Sequence, residues 1–211
     1  MVGHDPRAAW WRVRSQFGVR TFIFFTKSTA TEPAANNLWT FRELGQDDAL
    51  IHNGKPNAGG AAKLPLDRFA AGHRCFALVD RQDDVASWGW VSGGGDRRID
   101  VPWEGTLHLQ VGARTGYIWD CRTVPAFRGR GLYRDLLMRI SRVLLEKGAE
   151  RVMIYCNQNN EPSRRGILAA GFDMVMSMRL VRIGPVYLLL GMRSGISMAW
   201  TGAAVSPAGT G

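Results

Sequence analysis

The strongest constraint on the fold of this chain is a glycine-containing turn between a predicted strand and a predicted helix. The turn spans residues 124–133, with the sequence Val-Pro-Ala-Phe-Arg-Gly-Arg-Gly-Leu-Tyr, and the strand before it covers residues 117–124. A helix from about Gly131 to Lys147 follows, because apolar side chains recur at helical spacing: Leu136, Leu137, Ile140, Val143 and Leu144. Strand, tight turn and amphipathic helix in this order indicate a mixed α/β domain.

The turn also predicts an anion-binding site. The first N–H groups of a helix lack partners within the helix and lie at the positive end of its dipole, so they attract a phosphate. Gly129 and Gly131 allow a phosphate to approach the main chain, and Arg128 and Arg130 add positive charge. The alternative is a tight turn whose arginines are simply solvated.

Alternation of apolar and polar residues predicts further strands around this turn. Residues 75–79 and 85–91 form a predicted hairpin, and residues 106–111 and 117–124 a predicted antiparallel pair. From residue 117 to residue 182 the predicted order is strand, helix, strand, helix, strand. This order again favours the α/β class.

A second pattern follows the turn at a fixed distance. Asn160 and Ser163 open the next predicted helix, and a Gly-Phe pair at residues 171–172 ends it, with the glycine eleven residues after Asn160. Together with the Arg-x-x-Gly pattern of the turn, these residues resemble the GNAT superfamily of N-acetyltransferases. The resemblance covers residues 117–182, about a third of the chain, and extends less specifically back to Leu66.

The resemblance implies a fold and a reaction. The fold is α/β, with a mixed, mostly antiparallel, twisted sheet that splays in the middle and is flanked by helices. The reaction is direct attack of a primary amine on the thioester of acetyl-CoA, with both reactants held in one cleft. A fixed N–H group would stabilise the negative charge that develops on the thioester oxygen.

The resemblance also assigns residues to acetyl-CoA. Main-chain N–H groups of the turn would hold the diphosphate, and the pantetheine arm would pass between strands 117–124 and 151–156. Main-chain groups near Thr123 and Val124 would bond the pantetheine and polarise the thioester carbonyl. The residues assigned in this way are Thr123, Val124, Arg128, Gly129, Arg130, Gly131, Leu132, Tyr133, Asn160 and Ser163.

Two residues depart from the family pattern. Tyr133 stands where the family usually has glycine or alanine, and we expect its ring to point away from the phosphates. Ile167, seven residues after Asn160, stands where many members carry the tyrosine that protonates the departing thiolate. Because isoleucine cannot donate a proton, another group or water performs this step, or turnover is slow or absent.

Three residues are candidates for proton transfer. Asp120 is the first choice for the base, because burial of an ionisable side chain in an apolar strand raises its pKa; the alternative is an ion pair with Arg122 or another neighbour. His108 has a suitable ordinary pKa, although a strand histidine is often a packing residue. Tyr155, on the strand at residues 151–156, is the candidate acid in place of the missing tyrosine.

The chain divides into three predicted parts. Residues 1–37 form an N-terminal arm and linker, residues 38–193 the acyltransferase domain, and residues 194–211 a flexible, uncharged tail. The arm interleaves aromatic and basic residues, which suits peripheral contact with an anionic membrane. The alternative is a helix and a strand packed on the domain or on a second subunit, which keeps a homodimer among the expected assemblies.

Charge and cysteine content limit the other function classes. Twenty-seven basic and 18 acidic residues give a net charge of +9, which favours anionic partners. The arginines are dispersed and no nucleic-acid-binding motif is present, so nucleic-acid binding is disfavoured. The three cysteines are far apart in the chain, which predicts neither a disulfide framework nor a Cys-x-x-Cys metal site. No apolar run reaches the length of a membrane helix. We therefore expect a cytoplasmic location, with membrane association as the alternative.

The expected function is acetyl-CoA-dependent N-acetylation of a small amine. Within the superfamily the turn is most similar to members that act on amino sugars or surface polysaccharides, and other small amines and protein N-termini remain open. A GNAT-like protein that binds acyl-CoA with little or no turnover is the alternative, motivated by Ile167.

Overall fold

The computed structural model describes residues 17–31, 38–54, 63–93, 99–103, 107–183, 186–190 and 200–202. The strands within these ranges are β1 Phe17–Lys27, β2 Thr40–Leu44, β3 Arg74–Val79, β4 Val85–Gly93, β5 Ile99–Trp103, β6 Leu107–Val111, β7 Thr115–Thr123, β8 Arg151–Asn157, β9 Asp173–Ile183, β10 Val186–Leu190 and β11 Trp200–Gly202. The helices are α1 Gln46–Gly54, α2 Asp67–Ala70, α3 Leu132–Glu146 and α4 Glu161–Ala169, and a 3-10 turn covers Pro125–Phe127.

Eight strands form one sheet in the order β10-β9-β1-β8-β7-β4-β3-β2. Every neighbouring pair is antiparallel except β7 and β8, which run parallel. The pairing of β7 with β8 covers Thr115–Ile118 against Arg151–Ile154, and beyond it the two strands are no longer paired. The predicted α/β fold, with a mostly antiparallel sheet that splays in the middle, is therefore confirmed.

Strand β1 lies inside this sheet, between β8 and β9. Phe22 and Phe24 pack in the cluster on one face of the sheet, and Ile23 and Phe25 in the cluster on the other. A continuous apolar run is typical of a strand that is buried on both faces. Residues 17–27 are therefore part of the main sheet and not of an appended arm, so the predicted boundary at residue 38 does not separate them from the domain.

This position also corrects the interpretation of the aromatic residues of β1 as a membrane anchor. Phe22, Phe24 and Phe25 are buried within the protein, so they do not face a membrane surface. Of the alternative prediction, a helix and a strand packed on the domain or on a second subunit, the strand is confirmed as packed on the domain. Residues 1–16 and 32–37 of the predicted arm lie outside the described residues.

A second sheet has three strands in the order β11-β6-β5. The predicted antiparallel pairing of residues 106–111 with residues 117–124 is wrong, because β4 and β8 occupy both edges of β7 in the main sheet. Strand β6 pairs instead with β5 and β11. Strand β11 lies in the predicted tail, so Trp200–Gly202 has regular structure, and residues 194–199 and 203–211 lie outside the described ranges.

The hairpin predicted at residues 75–91 is confirmed as β3 and β4, and the helix predicted after the turn as α3. Helix α3 packs on the sheet through its apolar face, where Leu136, Ile140 and Leu144 are buried. Gly116 of β7 allows this close approach, because a Cβ there would lie 2.8 Å from Cδ1 of Leu144. No helix within the described ranges has the length and hydropathy needed to cross a membrane.

Candidate functional site

A β-bulge in β7 marks the point where β7 and β8 separate. Asp120 and Cys121 of β7 together face the single residue Gly89 of β4. Asp120 has a φ of 41°, a left-handed conformation that is uncommon outside glycine but that aspartate adopts more often than most residues. A Cβ at position 89 would lie 2.7 Å from Sγ of Cys121, so glycine leaves the space that the thiol occupies. Because a bulge bends its strand, the end of β7 is directed away from β8.

The turn between β7 and α3 has the backbone conformation that its glycines predict. Gly129 and Gly131 each have a φ of 75°, in the left-handed region that glycine adopts without strain. Gly131 immediately precedes α3, and no side chain of the described residues caps this end of the helix. The N-terminus of α3 is therefore a suitable site for an anion.

This turn forms one side of a cavity of about 550 Å³. The end of β7 and the start of α4 form its other sides, and α4 begins where Oδ1 of Asn160 accepts a 3.2 Å hydrogen bond from the N–H of Ser163. Arg130 does not line the cavity; its guanidinium lies 5.6 Å from the centre of the Phe127 ring. The other residues predicted to bind acetyl-CoA do line it: Thr123, Val124, Arg128, Gly129, Gly131, Leu132, Tyr133, Asn160 and Ser163.

Hydrogen bonds fix the end of β7 at the edge of this cavity. The N–H of Val124 donates to the carbonyl of Ala86 at 2.9 Å, and the carbonyl of Val124 accepts from the N–H of Phe127 at 2.9 Å. Nε of Arg128 donates to the carbonyl of Thr123 at 3.2 Å. The N–H of Val124 is thus already engaged, whereas the carbonyls of Thr123 and Val124 each accept one bond here and have a second lone pair for a further donor.

A second cavity, of about 360 Å³, lies between the separated ends of β7 and β8 and reaches β1. Its lining includes the charged side chains of Arg20 and Asp120, the amide of Asn157 and the ring of Tyr155. It shares four residues with the first cavity, and we call these four the shared wall: Cys121, Tyr133, Asn160 and Ser163. The two cavities are therefore adjacent, on either side of these four residues, where the sheet is open.

Two arginines hold the carboxylate of Asp120. Nη1 of Arg68 lies 2.5 Å from Oδ2, and Nε of Arg122 lies 3.0 Å from Oδ1. Burial by itself would raise the pKa of Asp120, but the hydrogen bonds from Arg68 and Arg122 outweigh it and hold the pKa below its ordinary value. The expectation of a raised pKa is therefore wrong, and the alternative of an ion pair with Arg122 or another neighbour is confirmed, the other neighbour being Arg68. A carboxylate in this state is a weak base.

The other two candidates for proton transfer lie in different parts of the molecule. Tyr155 lines the second cavity, and its ring packs among Phe22, Phe24 and Tyr117, with centroid distances of 5.6, 5.5 and 6.3 Å. His108 belongs to β6, where its main chain pairs with strands of the three-stranded sheet, and its side chain lies outside the described part of the structure. Tyr155 is therefore placed at a cavity, and a role for His108 stays a prediction.

Tyr133 occupies the space between α3 and α4. Its ring packs against Gly166 of α4, where a Cβ would lie 2.8 Å from Cε1 of the tyrosine. Its hydroxyl lies 3.0 Å from Oγ of Ser163, and burial raises the pKa of Tyr133. Ile167, one turn after Ser163 in α4, is buried in the core.

Two arginines at the site were not predicted. Arg68 stacks over the rings of Trp119 and Trp90, at 4.5 and 5.1 Å from their centres, while it bonds Asp120. Arg20 enters the second cavity from β1. Both lie far along the chain from the turn, and no spacing pattern connects them to it, so the sequence contains no signal that identifies them.

Several solved structures share this fold. A putative acetyltransferase from the GNAT family of Novosphingobium aromaticivorans is 12% identical, with 83% of this chain and 66% of that one covered and a TM-score of 0.54. A GNAT-family acetyltransferase of Colwellia psychrerythraea is 13% identical, with 79% of this chain and 56% of that one covered and a TM-score of 0.52. A Drosophila protein is 14% identical, with 85% of this chain and 57% of that one covered and a TM-score of 0.55. At these identities the likeness concerns the fold, and the aligned region spans between about half and two thirds of each of these proteins.

Sequence comparison identifies the family. No curated protein has a sequence that matches this chain significantly. The profile of the acetyltransferase (GNAT) family matches residues 50–172, which is more than half of the 211 residues and includes the turn, the bulge and the start of α4. The chain is therefore a member of the acetyltransferase (GNAT) family, whose acetyl donor is acetyl-CoA.

Proposed function

We propose that this protein transfers the acetyl group of acetyl-CoA to the primary amine of a small polar acceptor. The observation that carries the proposal is the pair of cavities that meet at the shared wall. A thioester placed at this wall from the first cavity is accessible to an amine in the second. Both reactants are then held together, which favours direct attack over a bimolecular encounter in solution.

The first cavity suits acetyl-CoA because its outer end lies at the N-terminus of α3. In the proposal, main-chain N–H groups next to Gly131 bind the diphosphate, and Arg128, which is exposed at the turn, adds positive charge. The pantetheine arm follows the cavity between the end of β7 and Asn160 of α4. The acetyl group then reaches the shared wall.

The second cavity suits a small polar amine. Its volume of about 360 Å³ is near the lower end of the range for small-molecule sites. Arg20, Asp120 and Asn157 give it charged and amide groups, which fit an amino sugar or an amine of similar polarity. Because Arg68 and Arg122 together exceed the charge of Asp120, the surroundings lower the pKa of a bound amine and favour its neutral, nucleophilic form. The ammonium proton passes to solvent in this proposal.

Binding of acetyl-CoA is tested first, with two glycines at opposite ends of α3. Gly131 and Gly148 both have positive φ, of 75° and 92°, so glutamate at either position imposes comparable backbone strain. We expect Gly131→Glu to abolish binding of CoA in calorimetry, because its carboxylate occupies the diphosphate position. Gly148→Glu is the matched control and should bind CoA as the wild type does. Equal affinities of the two variants would refute the proposed site.

Turnover is tested separately, by release of free thiol from acetyl-CoA in the presence of a panel of small primary amines that includes glucosamine. Thiol release that depends on one amine, with a matching N-acetyl product in mass spectrometry, supports the enzyme. Binding of acetyl-CoA without amine-dependent thiol release would support the alternative, an acyl-CoA-binding protein without turnover.

A further inference from the structure

The shared wall contains a pair of hydroxyl groups next to the point where the two cavities meet. Tyr133 reaches it from α3 and Ser163 from α4, and their oxygens lie 3.0 Å apart. When an amine displaces CoA from a thioester, the leaving sulfur takes up negative charge and must gain a proton. A hydroxyl at the junction of the two cavities is placed to donate that proton.

The packing around Tyr133 fixes its hydroxyl in this position. The absence of a side chain at Gly166 leaves room for the ring, since a Cβ there would lie 2.8 Å from Cε1. Ser163 lies one turn before Gly166 in α4, and its hydroxyl contacts the hydroxyl of Tyr133. The ring is thus held between two helices, with its polar end at the wall.

The other ionisable groups near the wall are less suited to this role. Cys121 and Cys156 also line the second cavity, but a thiol is a weak hydrogen-bond donor. Both carboxylate oxygens of Asp120 are engaged by arginines, and the pKa of this group lies below its ordinary value, so it carries no proton to give. Tyr133 carries a hydroxyl proton, since burial disfavours the phenolate and raises its pKa, and its oxygen lies 3.0 Å from Oγ of Ser163 at the shared wall.

We propose that Tyr133 is the catalytic acid that protonates the departing CoA thiolate, with Ser163 as its relay partner. This inference rests on the proposed function. The amine nitrogen forms a bond to the acetyl carbon, and the carbon–sulfur bond breaks with its electron pair on sulfur. Tyr133 gives its proton to the sulfur, and the proton that the nitrogen loses as it becomes an amide returns through Ser163 to the tyrosine oxygen. The products are the N-acetylated amine and free CoA thiol.

The test compares Tyr133→Phe with the wild type. Phenylalanine keeps the ring against Gly166 and removes only the hydroxyl, so the fold and the affinity for acetyl-CoA should be unchanged. We expect kcat for amine-dependent thiol release to fall by about 100-fold or more, the usual contribution of a general acid. Tyr117→Phe is the matched control, because Tyr117 is buried and lines neither cavity. Its kcat should equal that of the wild type.

Each outcome has a distinct meaning. If the wild type releases thiol and Tyr133→Phe has the same kcat, the catalytic role of Tyr133 is refuted and the proposed function stands. If Tyr133→Phe weakens acetyl-CoA binding as much as it lowers kcat/KM, the hydroxyl serves binding and the inference also fails. If the wild type shows no thiol release with any amine in the panel, the proposed function itself fails, and the inference with it.

Discussion

The contact between Tyr133 and Gly166 allows a test in which one substitution changes stability in opposite directions in two backgrounds. The substitution is Gly166→Ala, within α4. The added methyl group would lie 2.8 Å from Cε1 of Tyr133, well inside ordinary contact distance, so the ring or the helix must shift. In the Tyr133→Ala background the ring is absent, and the same methyl group meets no such contact.

The expected magnitudes follow from two opposing effects. Alanine is favoured over glycine inside a helix by about 0.8–1 kcal/mol. Overpacking of a well-packed site costs about 1–3 kcal/mol. With Tyr133 present, Gly166→Ala should therefore lower the free energy of unfolding by up to about 2 kcal/mol. In the Tyr133→Ala background it should raise that free energy by about 1 kcal/mol.

The assay is urea unfolding of the wild type, the two single variants and the double variant, followed by circular dichroism. The double-mutant cycle gives the interaction energy between the two positions, which we expect to be about 1–3 kcal/mol. Additive effects of the two substitutions would show that Tyr133 does not pack on Gly166. The position of the hydroxyl at the shared wall would then also be wrong.

Two further predictions concern Asp120 and β1. The folded-state pKa of Asp120 lies below its ordinary value of 3.8, so its ion pairs stabilise the protein fully above that pH and are lost as pH falls through the lower folded pKa. The difference in unfolding free energy between wild type and Asp120→Asn should therefore be constant near neutrality and shrink in acid. A difference that grows in acid would contradict this. Phe24→Ala, in the middle of the sheet, should destabilise the protein by about 3–5 kcal/mol, and the exposed Val19→Ala on the same strand by about 0.5 kcal/mol or less, both measured by urea unfolding. Equal small effects would place β1 outside the core.

Much of the site could be predicted from short stretches of sequence. The turn before α3 depends on glycines at positions 129 and 131, whose positive φ is a property of residue type. The start of α4 depends on the cap that Asn160 provides for Ser163, three residues away. Such features require interactions between residues that are close in the chain, so a sequence pattern records them.

Other parts of the site could not be predicted, because they depend on residues that are distant in the chain. The pKa of Asp120 was expected to rise with burial, but Arg68, 52 residues earlier, binds its carboxylate and lowers it. The aromatic run of β1 has the composition of an interfacial anchor, and only its pairing with β8 and β9 shows that it is a buried strand. Composition describes which surfaces a segment favours and does not say which partner covers them.

The amino-acid sequence by itself determined the glycine-containing turn, the amphipathic helix after it and the family to which the chain belongs, since these follow from local backbone preferences and residue spacing. Only the tertiary structure decided that β1 fills the gap between β8 and β9, and that Tyr133 and Ser163, 30 residues apart, meet at the junction of two cavities. The physical reason is that a side chain's reach, partner and pKa depend on the elements packed around it, and that packing is settled only when the whole sheet has formed.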